Sequence, residues 1–78
     1  MYYVYFIKNI DENESYIGYT NDLKRRIAEH KDKKAELIYY EAYKSKLDAQ
    51  DRERKLKQRG QAVRCLKNRI KNSLEKIN

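Results

Sequence analysis

The chain has 78 residues, of which 40% are hydrophobic and 40% charged, and its formal net charge is +7. That length holds one domain with one small core, and it excludes a second core or any surplus of apolar residues. The single cysteine, Cys65, excludes an internal disulfide framework.

No apolar run approaches the roughly 20 residues of a membrane span, and the N-terminus carries no signal-peptide pattern. A cytoplasmic location with no membrane partner is therefore expected. The charge is unevenly placed: residues 1–43 hold 7 Lys/Arg against 8 Asp/Glu, whereas residues 44–78 hold 12 against 4. The excess suits a polyanionic partner bound along one side, and it also fits an anionic surface or simple solubility.

Tyr2 to Ile10 is rich in aromatic and β-branched residues and predicts a strand. Asp11-Glu12-Asn13-Glu14 is a turn, and Ser15 to Tyr19 forms the second strand of a hairpin. Asn21 or Thr20 caps a helix with Asp22 in its first turn and a narrow Leu23/Ile27 stripe, ending near His30–Asp32. Leu37 to Tyr43 is a third strand. Ser45-Lys46-Leu47-Asp48 has the form of a capping box and opens a second helix, for which Gly60 is a C-terminal stop. Ala62, Val63, Leu66, Ile70 and Leu74 recur at helical spacing and mark a basic third helix over about 61–75. The order is ββαβαα, an α+β fold with a small three-stranded antiparallel sheet and flanking helices, in one domain over 1–78.

Several residues break the core pattern. Ala49, Glu53 and Leu56 share one face of the second helix, so Glu53 interrupts its apolar stripe. A carboxylate there loses water and needs compensation, either from a divalent metal or from a nearby Arg or Lys at the core rim. On the first helix, at about 100° per residue, Arg26 and His30 border the stripe while Lys24 and Arg25 fall well away from it. Arg26 is suited to fixing a phosphate or its transition-state charge, and equally to an ion pair with a core-edge carboxylate. His30 alone fits a capping or packing role as well as a catalytic one.

Strand alternation puts Tyr3 and Tyr5 on one face and Tyr2, Val4 and Phe6 on the other, while Tyr16 and Gly18 share a face. Hairpin pairing of the polar-tipped faces makes Tyr5 and Tyr16 neighbours beside a glycine that leaves space. Half-buried packing accounts for any one of these tyrosines equally well. In the last helix, Arg64, Lys67 and Lys71 project opposite Leu66 and Ile70. They form a stripe suited to sequence-independent phosphate contacts, or simply a solvated face.

Together these residues resemble the GIY-YIG nuclease family. Tyr3-Val4-Tyr5 looks like its first motif and Tyr16-Ile17-Gly18 matches its second. Arg26 matches the arginine on the following helix, His30 a frequent histidine one turn later, and Glu53 the metal-binding glutamate. The likeness covers about residues 2–57 and is greatest to the short, single-domain bacterial members, which are similar to the catalytic module of the excision-repair incision subunit.

The resemblance implies a DNA endonuclease with Mg²⁺ or Mn²⁺ held by Glu53, acting on branched, nicked or single-stranded substrate in DNA repair. It implies that Tyr5 helps activate water, that Tyr16 and Gly18 help position phosphate and solvent, and that Arg26 stabilises charge on phosphorus. Two features depart from the pattern: Tyr3 replaces the first glycine, and only Lys31 to Glu36 precede the third strand. Many relatives carry a longer Gly- and basic-rich loop there, so surface that could grip substrate is missing. The alternatives are a nucleic-acid-binding module of the same fold without turnover, or a protein-interaction domain docking its basic helix on an acidic partner.

Overall fold

In the computed structural model, residues 1–11, 14–30, 34–58 and 60–75 are described. Strand β1 (Tyr2–Asn9) and β2 (Glu14–Thr20) are followed by helix α1 (Leu23–His30) and strand β3 (Ala35–Tyr43). Helices α2 (Lys46–Lys57), α3 (Gln61–Arg69) and α4 (Lys71–Glu75) complete the chain. The sheet is three-stranded and antiparallel, as the sequence predicts, and the structure places β1 at its centre in the order β2-β1-β3. Glu12 and Asn13 of the predicted turn lie outside the described residues, as do Lys31 to Lys33 of the short connection.

Central β1 must serve both faces of the sheet. Val4 and Phe6 enter the main core with Ala49 and Leu56 of α2, Leu66 of α3, and Ile70. Ala49 is fully buried, and its small side chain lets α2 lie close against the sheet. Tyr5 and Ile7 are buried on the opposite face, where the Tyr5 ring meets His30 of α1. A bulge beside Phe6/Ile7 pairs Phe6 with Tyr39 but Ile7 with Leu37. The extra residue lets consecutive Ile38 and Tyr39 both pack on the main core.

Three local expectations are corrected. Asp22, not Asn21 or Thr20, caps α1: its carboxylate accepts from Arg25 N–H at 3.1 Å. Thr20 instead closes the preceding turn by accepting from Asp22 N–H at 3.0 Å. Gly60 does not stop α2, which ends at Gln58; it stands in extended backbone as the N-cap of α3. The last helix is broken at Ile70, whose backbone (φ −105°, ψ 22°) leaves the helical region. Ile70 N–H still reaches Leu66 C=O and Leu74 N–H reaches Ile70 C=O, both at 3.0 Å. These two bonds flank the bend, with Ile70 buried and Leu74 packed on the core. The predicted Ser45 cap holds, accepting from Asp48 N–H at 3.5 Å.

One polar cluster locks α2 to the sheet. Arg52 Nε donates to Glu41 Oε1 at 2.9 Å and its Nη2 to Oε2 at 3.0 Å. Tyr39 donates to Glu41 Oε2 at 2.6 Å, and Tyr43 donates to Oε1. Burial alone would raise the Glu41 pKa, but the hydrogen bonds from Arg52, Tyr39 and Tyr43 outweigh it and hold the carboxyl below its ordinary value. Burial and the bond to Glu41 push the Tyr43 hydroxyl up to about 12, so it stays a donor across the neutral range.

The depressed Glu41 pKa contributes stability that is complete above the unfolded carboxylate value of about 4.3, and it is lost as pH falls through the folded value. Acid titration of the melting temperature should therefore show a loss below about pH 4 that is smaller in Glu41→Gln. Arg52→Ala strands this carboxylate and should cost about 2 kcal/mol, or roughly 10 °C in Tm, measured by circular dichroism.

Candidate active site

The site is built around Tyr5, which pairs with Gly18 across the hairpin. A Cβ at Gly18 would lie 2.9 Å from Tyr5 Cε2 and closer still to Cζ and the hydroxyl. Only glycine leaves room for the ring to lie across β2. Its hydroxyl is thereby carried over the strand against which α2 also packs. Tyr16 pairs with Ile7, one step along the same face, so Tyr5 and Tyr16 are diagonal neighbours as the alternation predicts.

Two helices bring charge to this phenol. Burial pushes the Tyr5 hydroxyl above its ordinary pKa; Arg26 pulls it down, Glu53 pushes it up, Lys57 pulls it down and Glu29 pushes it up. Arg26 and Glu29 come from α1, and Glu53 and Lys57 from α2. Burial dominates, so Tyr5 is a neutral hydroxyl at neutral pH rather than a phenolate. The Tyr5 and His30 rings are 6.3 Å apart between centroids and tilted by 55°.

Arg26 is partly exposed, and its Nη1 donates to Glu29 Oε2 at 3.2 Å. Arg25, mostly solvent-exposed as expected, reaches the same glutamate at 3.7 Å. Glu29 is thus shared, and the Arg26 fork, bonded to it through Nη1, keeps donors suited to an anion. Glu53 lies between Ala49 and Leu56 with its side chain 23% exposed, and it meets Lys57 Nζ at 3.2 Å. This is the rim ion pair that the sequence also allows. Tyr16 is exposed, and its hydroxyl donates to Glu14 at 2.7 Å.

Among the described residues, no three His, Cys, Asp or Glu side chains group into a metal site. A lone, mostly buried carboxylate still suits Mg²⁺ or Mn²⁺, because Mg²⁺ commonly takes one or two carboxylates and completes its shell with waters and phosphate oxygens. Glu53 is the residue that fits this role.

Arg64 and Lys67 line a groove with Tyr16 and Lys57, bounded by β2, the end of α2 and the start of α3. Lys71 is exposed at the start of α4, beyond the bend at Ile70, and is not among the groove's lining residues. The bend divides the predicted basic stripe. Sequence reasoning missed Lys57 and Glu29, although each stands at i+4 or i+3 from a residue it singled out. It also missed Glu41, an acidic residue between core-facing Tyr39 and Tyr43, detectable by the same broken-pattern rule that found Glu53.

No helix among the described residues is long and apolar enough to cross a membrane. No curated protein and no solved structure matches the chain. The model of the GIY-YIG catalytic domain matches residues 1–71, a span that includes both tyrosine strands, Arg26, Glu53 and the groove. The chain therefore belongs to the GIY-YIG catalytic-domain family, a family of nucleases acting on nucleic acid.

Proposed function

We propose that this domain is a metal-dependent endonuclease that hydrolyses phosphodiester bonds in DNA through Tyr5, Tyr16, Arg26, His30 and Glu53. The observation that carries the reading is that buried Tyr5, seated against Gly18, feels the charges of both Arg26 and Glu53, which come from different helices. Hydrolysis adds water to phosphorus and breaks a P–O bond, so the site must orient water, balance growing negative charge and receive a proton.

Arg26 donates to the non-bridging oxygens as their charge grows. The Tyr5 hydroxyl orients the attacking water and takes its proton when ionised. Exposed Tyr16, beside Gly18, positions the phosphate from the open side. His30 abuts the Tyr5 ring and fixes its place or relays a proton. Glu53 holds the divalent ion, which when bound polarises phosphoryl oxygen and water. A cytoplasmic role in DNA repair belongs to the same reading. The Glu53–Lys57 ion pair favours one second reading, a nucleic-acid-binding module of this fold with negligible turnover.

Cleavage of nicked, branched and single-stranded DNA should require Mg²⁺ or Mn²⁺ and stop in EDTA. Glu53→Gln should cut about 10³-fold more slowly, and Arg26→Ala about 10²-fold more slowly. Equal cutting by Glu53→Gln would overturn its assignment, and no products with any metal would favour the binding module. Because burial holds Tyr5 mostly neutral, the cleavage rate should rise with pH from 7 to 9, roughly in step with the ionised fraction. Tyr5→Phe should flatten that rise and lower the rate about 10²-fold at its upper end, measured as single-turnover kinetics.

A further inference from the structure

The groove beside the site has a composition that the catalytic reading does not use. Its floor includes Phe6, Ile17, Leu56 and Val63, while Lys57, Arg64 and Lys67 supply three cations and no carboxylate lines it. Neither Arg64 nor Lys67 has an ion-pair partner among the described residues, so within the groove only Lys57 is paired, with Glu53. Exposed Tyr16, the diagonal neighbour of Tyr5 on β2, also lines the groove.

We infer that this groove holds a single-stranded segment of the nucleic acid next to the phosphate in the active site, with bases on the apolar floor and phosphates against Arg64 and Lys67. The inference rests on the nuclease reading for the location of that phosphate. A duplex keeps its base faces stacked inside and shows only base edges in its grooves, so it has no base face to lay on an apolar floor. An unpaired strand offers both chemistries, and proteins that bind single strands pair a cationic track with aromatic or apolar base contacts. The groove volume of about 690 Å³ is of the size that takes a small ligand, enough for about one or two nucleotides. Lys57 lines the groove and also pairs with Glu53, linking the strand track to the site.

The test is fluorescence anisotropy with labelled oligothymidylate of about a dozen residues, against a duplex of equal length, at low salt in EDTA. Single strand should bind about tenfold more tightly than duplex. The double variant Arg64→Ala/Lys67→Ala should lose about tenfold in affinity, and its log–log salt slope should shrink by about 1.4, as expected for two lost phosphate contacts. Lys44→Ala/Lys46→Ala removes equal charge from exposed positions outside the groove and should bind like the parent.

Equal binding of duplex and single strand, or equal loss in both double variants, would overturn the inference. Amide shifts in the unmutated protein give a variant-free check: perturbations should centre on Ser15 to Ile17 and Gly60 to Lys67, and perturbations elsewhere would refute it. Binding is read without metal, so a failure to cleave DNA would overturn the proposed function and leave this result standing.

Discussion

Because Gly18 carries no side chain, the Tyr5 ring can lie across β2, and the geometry of the site follows from that close approach. Any Cβ at this position would push the ring away from the strand that α2 also covers. Tyr5 would then lose its place between the charges of α1 and those of α2. The glycine is needed for space and not for backbone freedom, since no residue with positive φ lies in β2. Central β1 makes the constraint tighter: Val4 and Phe6 anchor one face, so Tyr5 cannot turn without disturbing the core.

Two glutamates at the margin of the core illustrate how the fold separates structure from chemistry. Glu41 is saturated, with a bidentate arginine and two tyrosine hydroxyls on one carboxylate. Such a group is fixed, and breaking its contacts leaves a poorly solvated charge. Glu53 is similarly withdrawn from water but pairs with a lysine whose side chain is 55% exposed. An exposed, flexible lysine holds a carboxylate weakly, so Glu53 remains available to another cation. Arg52 and Glu53 are adjacent in sequence, and the pinning of Arg52 to β3 fixes the helix that presents Glu53 to the site.

Small size shapes the rest. With so few apolar residues, the main core occupies one face of the sheet, and the other face is covered by α1, which has no fully buried residue. This thinner side holds the tyrosine, arginine and histidine of the site. Partial cover leaves the polar ends of these side chains within reach of substrate, while Tyr5 and Ile7 stay dry enough to be ordered.

Residue patterning alone determined the strand and helix order, the division of β1 into two faces, the Ser45 cap, and the oddity of Glu53 on an apolar stripe. These follow from periods of two and 3.6 residues and from the cost of burying charge, which are local properties. The family motifs were legible for the same reason, since each lies within a single element. Only tertiary structure decided which helix ends where the chain bends at Ile70, and that Gly60 starts a helix instead of stopping one. It alone joined Glu41 to Arg52, brought the charges of Lys57 and Glu29 from two helices to bear on Tyr5, and separated Lys71 from Arg64 and Lys67. Those outcomes depend on side chains meeting across elements, where packing and mutual desolvation outweigh the local propensities that a sequence displays.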